Sequence, residues 1–283
     1  SYNDFALLTY ETYVDTPQVI SHPDYTSGTV PGTTFITQNW IDAGSPTSFE
    51  IRGYETIGHS QFVNKHTITD VIFGSGVVTL HGTPFWDNDG LVSVTIGPDM
   101  TTIDKGFAGY ANSFTTINLD SNNTNFHLDN GILYKKNGAN NIHTLVQYPL
   151  GRPAEEFTIP DGVVIIADHA AFKSNITAVH IPASVISIGT GSFTGSPNLT
   201  SVTFAAGSGL ETIGAQAFSL TAITSITILA TVTSIGFQAF YACNSLASVT
   251  FAADSELETI GDQAFYGSGL GSTEFPTSVT SLG

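Results

Sequence analysis

The feature that most constrains the fold is a short segment that returns many times along the chain. Residues 257–265 read Leu-Glu-Thr-Ile-Gly-Asp-Gln-Ala-Phe, and residues 210–218 are the same apart from Ala215. The phenylalanines that close such segments lie 21 to 25 residues apart, apart from one interval of 65: Phe62, Phe85, Phe107, Phe172, Phe193, Phe218, Phe240 and Phe265. A period of this length is typical of a solenoid of stacked coils. The long interval is close to three periods, so it predicts about two further coils in atypical form.

Two apolar patterns fill each period. The first is L-x-x-V-x-[IF], as in Leu246/Val249/Phe251, which matches the strand signature of leucine-rich repeats. The second is a pair three residues apart, as in Val232/Ile235, which predicts a short strand on the opposite wall. The glycines that follow this pair are expected to form turns with positive φ: Gly189, Gly214, Gly236 and Gly261. A β-sandwich also alternates apolar residues, but it does not repeat this segment. The sequence therefore predicts a β-rich leucine-rich-repeat solenoid with short parallel strands in coils of 21–25 residues.

Residues 235–251 carry a resemblance to a known family. They read Ile-Gly-Phe-Gln-Ala-Phe-Tyr-Ala-Cys-Asn-Ser-Leu-Ala-Ser-Val-Thr-Phe, which is similar to the repeat of BspA-like leucine-rich-repeat surface proteins, I-G-x-x-A-F-x-x-C-x-S-L-x-S-V-x-[FI]. The resemblance covers about residues 54–283. It implies an extracellular or cell-surface location and attachment to host matrix, host cells or other bacteria. Cys243, the only cysteine, is expected to be a small buried hydrophobe, with a reactive thiol as the alternative.

The chain divides into a non-repeating start and an interrupted solenoid. Residues 1–53 are rich in aromatic residues and are expected to form an N-terminal cap or irregular first coils, with a separate binding domain as the alternative. The solenoid, residues 54–283, is interrupted at about 120–150 by a β-hairpin insertion of meander type, with turns at Asn130-Gly131 and Asn137-Gly138. We expect the insertion to project, either as an inert element or as a contact loop. The chain stops within a repeat, so the natural protein is expected to continue.

Charge limits the partners. The chain has 7 Lys and Arg against 24 Asp and Glu, a formal net charge of −17. Nucleic acids and anionic membranes are bound by basic surfaces, so we expect neither as a partner. No apolar run has the roughly 18–20 residues of a membrane span, so no membrane insertion is expected. We expect a monomer that binds an extracellular protein or glycan.

The candidate binding residues alternate with the buried residues of the strand signature. They are Ser93, Thr95, Asn118, His180, Ser201, Thr203, Ser225, Thr227, Ser248 and Thr250. Stacked coils would place their side chains in rows on one open wall, nearly free of charge. The structural explanation is that threonine suits a β-ladder and serine tolerates exposure. The functional alternative is recognition of a polar partner.

Other motifs carry little chemistry. Asp87-Asn88-Asp89-Gly90 is a weak calcium candidate through Asp87 and Asp89, but it lacks the remaining acidic positions of a calcium loop and is better explained as a turn. The histidines show no zinc-site spacing, and no nucleophile elbow accompanies Asp168-His169. We therefore expect no metal, no cofactor and no enzymatic activity. The leading hypothesis is a binding or adhesion module. The alternatives are a structural spacer in a larger surface protein and, third, an enzyme-associated or ion-binding surface domain.

Overall fold

The computed structural model describes residues 18–21, 47–58, 62, 65–139, 141–271 and 273–283. Most of the segment for which a cap is expected, residues 1–53, therefore lies outside the described residues. Within it, Gln18–Ser21 forms strand β1, which pairs in parallel with Ser48–Arg52, strand β2. All regular elements in the described residues are β-strands.

The strands form two opposite walls. The longer strands build the strand wall: β1, β2, β4 (Asp70–Phe73), β6 (Ser93–Ile96), β8 (Thr116–Leu119), β12 (Glu156–Thr158), β14 (Ala178–Ile181), β16 (Ser201–Phe204), β18 (Ser225–Ile228) and β20 (Ser248–Phe251). Two-residue strands build the short wall: β3 (Thr56–Ile57), β5 (Thr79–Leu80), β7 (Thr102–Ile103), β13 (Ile165–Ile166), β15 (Ser187–Ile188), β17 (Thr212–Ile213), β19 (Ser234–Ile235), β21 (Thr259–Ile260) and β22 (Ser281–Leu282). Paired strands of successive coils run parallel and match like with like, as in Val179 opposite Val202. The predicted solenoid is confirmed.

The repeated phenylalanines form one continuous file. The ring centroids of Phe193 and Phe218 are 5.4 Å apart, those of Phe218 and Phe240 are 5.5 Å apart, and those of Phe240 and Phe265 are 5.2 Å apart. Their planes are within 9° of parallel. These distances follow from the strand spacing of about 4.8 Å, because each coil carries one ring at the same place. One hydrophobic cluster contains the first three rings, and the partly buried Phe265 packs against it.

The glycines after the short strands serve a different purpose from the predicted one. Gly189, Gly214, Gly236 and Gly261 are not among the residues with positive φ, so the predicted turn conformation is wrong. Their role is close stacking: a Cβ on Gly236 would lie 2.5 Å from the Ala215 nitrogen. Positive φ instead falls at two other turn positions, two residues before and two after the file, as at Gln238 and Ala242. Glycine is required directly after the short strands, as at Gly236, because the backbones of successive coils touch there.

The long interval between phenylalanines hides one coil instead of the predicted two, because the coil that precedes Tyr148 is enlarged. Tyr148 donates its backbone N–H to Ala170 O, as Phe193 does to Ala217 O, so Tyr148 occupies the file position. In the next coil Ala171 is at that position, since its N–H bonds to Ser192 O. Phe172 therefore lies one residue outside the file, and its inclusion among the repeated phenylalanines is wrong.

The insertion is part of the core and does not project. It consists of β9 (Phe126–Asp129), β10 (Ile132–Lys136) and β11 (Ile142–Gln147), which form an antiparallel meander whose last strand pairs in parallel with β13. Asn130 and Gly131 both have positive φ, as their hairpin signal predicts. Leu133 packs in the cluster that holds the first coils, whereas Tyr134 packs in the other. Alternate side chains thus fill both clusters, and for this reason the expected projection is wrong.

In the described residues of the enlarged coil, no turn matches the one that follows the short strand in the other coils. Two contacts join the turns on either side of this position. Inside, the Gln147 side chain accepts a hydrogen bond from Phe107 N at 2.7 Å and donates one to Tyr148 O at 2.9 Å. Outside, Gly106 N bonds directly to Asp168 O, which brings the flanking turns together. The joint is covered by an aromatic cluster, whose members are Trp86, Tyr110, His169 and Phe172.

Candidate binding surface

The strand wall presents its non-core side chains to solvent. In each strand the apolar residues point inward, as Val202 does in β16, and their neighbours point outward. In-register pairing stacks the outward residues directly: Ser225 lies opposite Ser248, and Thr227 lies opposite Thr250. The wall therefore carries rows of like side chains at the spacing of the strands, about 4.8 Å.

The predicted binding residues fall in three groups, because the wall consists of three separate hydrogen-bonded sheets. The groups are Ser93, Thr95 and Asn118; His180, Ser201 and Thr203; and Ser225, Thr227, Ser248 and Thr250. In the third group all four side chains are exposed, whereas several in the other two are partly buried. The third group is therefore the most accessible part of the predicted surface.

Internal hydrogen bonds engage much of the first two groups. Asp70 accepts hydrogen bonds from Ser93 and from Thr69. Asn118 donates to Thr95 at 3.4 Å. A ring nitrogen of His180 lies 2.7 Å from the hydroxyl of Thr203, and the other lies 3.7 Å from a carboxylate oxygen of Glu156. No such side-chain bond is found for the third group among the described residues, so its hydroxyls are available to a partner.

Two open grooves lie beside the third group. One is lined by the edge of β20 and the segment that follows it: Ala247 to Phe251, with Leu270, Thr273 and Glu274. The other is lined by Phe251, Ala252, Asp254, Ser255 and residues 274–278. Both grooves are shallow. They continue the strand wall beyond β20, and polar and aromatic side chains line them together.

The weak calcium candidate is a turn in the structure. Asp87 has a φ of 58° and its N–H donates to Gly109 O, while the Asp89 carboxylate contacts Nδ1 of His66. Asn88 between them is buried, and its side-chain amide donates to Phe62 O at 2.7 Å. No group of three or more His, Cys, Asp or Glu side chains suited to a metal occurs in the described part of the chain.

Asp168 and His169 do not assemble a catalytic relay with a serine. Asp168 accepts a hydrogen bond from Thr190 N at 2.7 Å, and His169 packs edge-on against Trp86 and Phe172. Nδ1 of His169 is buried and lacks a hydrogen-bond partner in the described residues. Burial lowers the pKa of His169 below its usual value, so the ring is neutral near pH 7.

Cys243 belongs to a buried polar row beneath the phenylalanine file. Its thiol lies 3.0 Å from Phe218 O and 3.4 Å from the Thr221 hydroxyl, and the side chain is fully buried. In the coils before it, Ser196 and Asn88 likewise bond to a backbone carbonyl of the preceding turn. Burial raises the pKa of the Cys243 thiol, which agrees with the expected buried, unreactive role.

These features define a leucine-rich-repeat solenoid of parallel strands. The profile of the BspA type leucine rich repeat region matches residues 37–137 and 164–283 in 6 copies. Since this is more than half of the chain, the protein belongs to that family. No match was found among curated proteins.

Solved structures share the fold. A leucine rich cell surface protein of Faecalibacterium prausnitzii aligns with a TM-score of 0.54 and 17% identity, over 97% of this chain and 84% of the other. The pneumococcal vaccine antigen PcpA aligns with a TM-score of 0.58 and 14% identity, over 83% and 73%. A leucine-rich repeat protein of Eubacterium ventriosum aligns with a TM-score of 0.50 and 20% identity, over 94% and 92%. At these identities the likeness concerns the fold alone. The described residues contain no helix with the length and apolar character of a membrane span.

Proposed function

We propose that this protein is a non-enzymatic binding or adhesion module of the cell surface that contacts an extracellular protein or glycan through its strand wall. One observation carries the proposal: Ser225, Thr227, Ser248 and Thr250 form two exposed rows of hydroxyls that the solenoid itself does not use. The surface location is supported by the family and by the description of the Faecalibacterium relative as a cell surface protein.

Binding at such a wall is the sum of many weak contacts. Each neutral hydrogen bond contributes about 0.5–1.5 kcal/mol net, so affinity requires several at once. A hydroxyl both donates and accepts, which suits sugar hydroxyls and the backbone amides of a protein equally. The fixed strand spacing keeps the hydroxyls in place and limits the entropy that is lost on binding.

The experiment compares two double variants with the same change of charge. Thr227→Lys/Thr250→Lys places two bulky cations on the strand wall, and Thr259→Lys/Ser281→Lys places them at paired positions of the short wall. Both pairs are exposed, so both variants are expected to fold. Wild type and variants are applied to arrays of glycans and of extracellular matrix proteins.

The proposal predicts that the wild type and the short-wall variant share a ligand, and that the strand-wall variant loses it. Equal binding by both variants would contradict the strand wall as the site. Absence of any ligand for the wild type on matrix, glycan and cell-surface arrays would contradict the function itself.

A structural spacer is the second candidate, and a specific observation favours it. Threonine hydroxyls directly before strands of both walls bond to the solenoid: Thr200 before β16 bonds to Thr177 O, Thr233 before β19 to Glu211 O, and Thr280 before β22 to Glu258 O. A hydroxyl that satisfies a carbonyl of the preceding coil needs no ligand to explain it. The spacer hypothesis predicts that the lysine variants on either wall leave attachment of the intact protein unchanged.

A further inference from the structure

The solenoid consists of two blocks that meet at the enlarged coil. Strands β1 to β8 form the sheets of the first block, and β9 to β22 form those of the second. Among the described residues no strand of one block pairs with a strand of the other, whereas the short wall runs without a break from β9 to β22. The two hydrophobic clusters also divide at the meander. The joint between the blocks therefore lacks the ladder that holds the regular coils of the short wall together.

Isolated hydrogen bonds cross the joint. Gly106 N bonds to Asp168 O at 2.8 Å, and Gly151 N bonds to Phe114 O at 2.8 Å. The buried amide of Gln147 spans the space between the blocks. Bonds of this kind open more readily than those of a continuous ladder, because a local opening breaks few other contacts.

Four aromatic rings cover the joint on the outside. Trp86 and Tyr110 belong to the first block, and His169 and Phe172 belong to the second. The Trp86 ring lies 4.8 Å from the Phe172 ring and 5.7 Å from the His169 ring, between centroids. Trp86 reaches across because Gly109 in the intervening turn has no side chain: a Cβ there would lie 2.3 Å from the indole. The aromatic cover thus holds the outer edge of the joint closed.

His169 is the member of this cover whose ordinary pKa lies near physiological pH. Burial lowers that pKa, so the ring is neutral near pH 7 while the cover is closed. Its Nδ1 is buried and has no hydrogen-bond partner in the described residues, so an imidazolium would leave an N–H unsatisfied there. A proton on His169 is therefore held more readily when the cover opens to water.

The charged groups closest to His169 act in both directions. Lys105 on the facing turn opposes a charged ring, whereas the adjacent Asp168 favours one. The Asp168 carboxylate already accepts a hydrogen bond from a backbone N–H of the next turn at 2.7 Å. The ammonium of Lys173 lies 3.7 Å from the centre of the Tyr110 ring, which adds a second cation to the cover.

The remaining ionisable groups of the neighbouring turns are engaged elsewhere or lie in solvent. Asp104 accepts a hydrogen bond from Gly82 N at 2.9 Å and lies 3.2 Å from Nδ1 of His81. Asp87 is exposed, so solvent screens its charge. The turn on the other side, residues 189–195, has no ionisable side chain. The closed cover therefore disfavours a charged His169.

We propose that the joint is a pH-sensitive hinge, which is closed near neutral pH and opens at its outer edge when His169 takes up a proton. The blocks themselves stay folded, because their sheets do not pass through the joint. The meander acts as the pivot, since Leu133 and Val146 remain packed in the core of the first block. Opening changes the direction of one part of the strand wall relative to the other, and it does so whatever that wall binds.

Hydrogen–deuterium exchange of the full chain tests the hinge at about pH 7 and about pH 5.5, with the intrinsic pH dependence of exchange removed. Residues 104–110 carry N–H groups that cross the joint, and residues 213–219 carry those of a regular junction. One proton shifts an opening equilibrium by up to about tenfold per pH unit. Protection of residues 104–110 should therefore fall about three- to tenfold, and that of residues 213–219 less than about twofold.

Three variants separate His169 from other effects of acid. His169→Phe keeps a ring in the cover and cannot take up the proton, so the pH response of residues 104–110 should disappear. His81→Phe is the matched control, because this histidine lies beside Asp104 at an ordinary junction, and the response should remain. Lys105→Gln removes a cation that opposes protonation, so it should reduce the response.

Equal loss of protection in the two segments would mean general destabilisation by acid and would overturn the proposal. A pH response that persists in His169→Phe would overturn it as well, and so would protection of residues 104–110 that is the same at both pH values. If His169→Phe does not fold, the comparison of the two segments in the wild type still decides. Ligand binding by the strand wall plays no part in these measurements, so failure of the proposed function is read separately.

Discussion

Removal of one ring from the middle of the phenylalanine file should be among the most damaging single changes in the solenoid. The Phe218 ring is fully buried between Phe193 at 5.4 Å and Phe240 at 5.5 Å. Phe218→Ala loses its transfer free energy, leaves a cavity and breaks two stacked pairs, so we expect a loss near the upper end of about 3–5 kcal/mol. Phe265 is only partly buried near the end of the file, so Phe265→Ala should cost roughly half as much.

The assay is urea unfolding followed by circular dichroism, with the variants compared at equal protein concentration. Long repeat arrays do not always unfold in two states, so the slope of the transition is compared as well as its midpoint. Phe237→Ala is the control, because the same substitution three residues from Phe240 removes an exposed ring and should cost only about 0.5 kcal/mol. If Phe218→Ala and Phe237→Ala unfold at the same urea concentration, the file does not stabilise the solenoid and the reasoning is refuted.

Three further predictions concern single positions. Gly236→Ala should lower the free energy of unfolding in urea by about 1–3 kcal/mol, because the added Cβ would lie 2.5 Å from the Ala215 nitrogen. Gly209→Ala is the control and should cost little, since a Cβ there meets nothing within 4 Å. Equal losses in the two variants would contradict the close-stacking role. The Cys243 thiol should react with a disulfide reagent only after urea is added, and fast reaction of the folded protein would contradict its burial. Burial lowers the pKa of His169, so the folded state binds a proton at this residue less readily than the unfolded state does. The free energy of unfolding should therefore fall as the pH drops below about 6.5, and His169→Phe should reduce that fall. A pH profile that His169→Phe leaves unchanged would contradict this prediction.

The architecture could be predicted from the sequence because every coil repeats the same apolar pattern. Each coil must bury its apolar residues against the next, so Phe193, Phe218 and Phe240 recur at one period and pack in one file. The pairing of β18 with β20 follows from the same period. Register was thus predictable wherever the repeat was regular.

The errors fell where a pattern has two physical explanations. A glycine such as Gly236 can serve positive φ or close backbone approach, and the sequence does not distinguish the two. Phe172 matched the spacing of the file, but the backbone hydrogen bonds put Ala171 at the file position, which a spacing alone does not distinguish. The hairpin signals of the insertion suggest a projecting element, and alternation in β10 does not show that both of its faces are buried.

The candidate sites were predictable only in part. Alternation in the strand signature predicted which side chains of the strand wall face outward, as Thr227 does, but not which of them bond within the solenoid. The exposure of Leu220 and Phe237 was not predicted. Their one signal in the sequence is a large apolar residue where other coils carry small or polar ones.

In-register stacking of the coils is the claim on which the strand wall depends, and disulfide trapping tests it most directly. In a Cys243→Ser background, Ser225→Cys/Ser248→Cys joins positions that lie directly opposite each other, about 4.8 Å apart and within the reach of a disulfide. Ser225→Cys/Thr250→Cys is offset by two residues, about 8 Å along the diagonal and beyond that reach. We predict rapid and complete oxidation of the first pair and little of the second. Equal oxidation of the two pairs, or preference for the offset pair, would contradict the stacking.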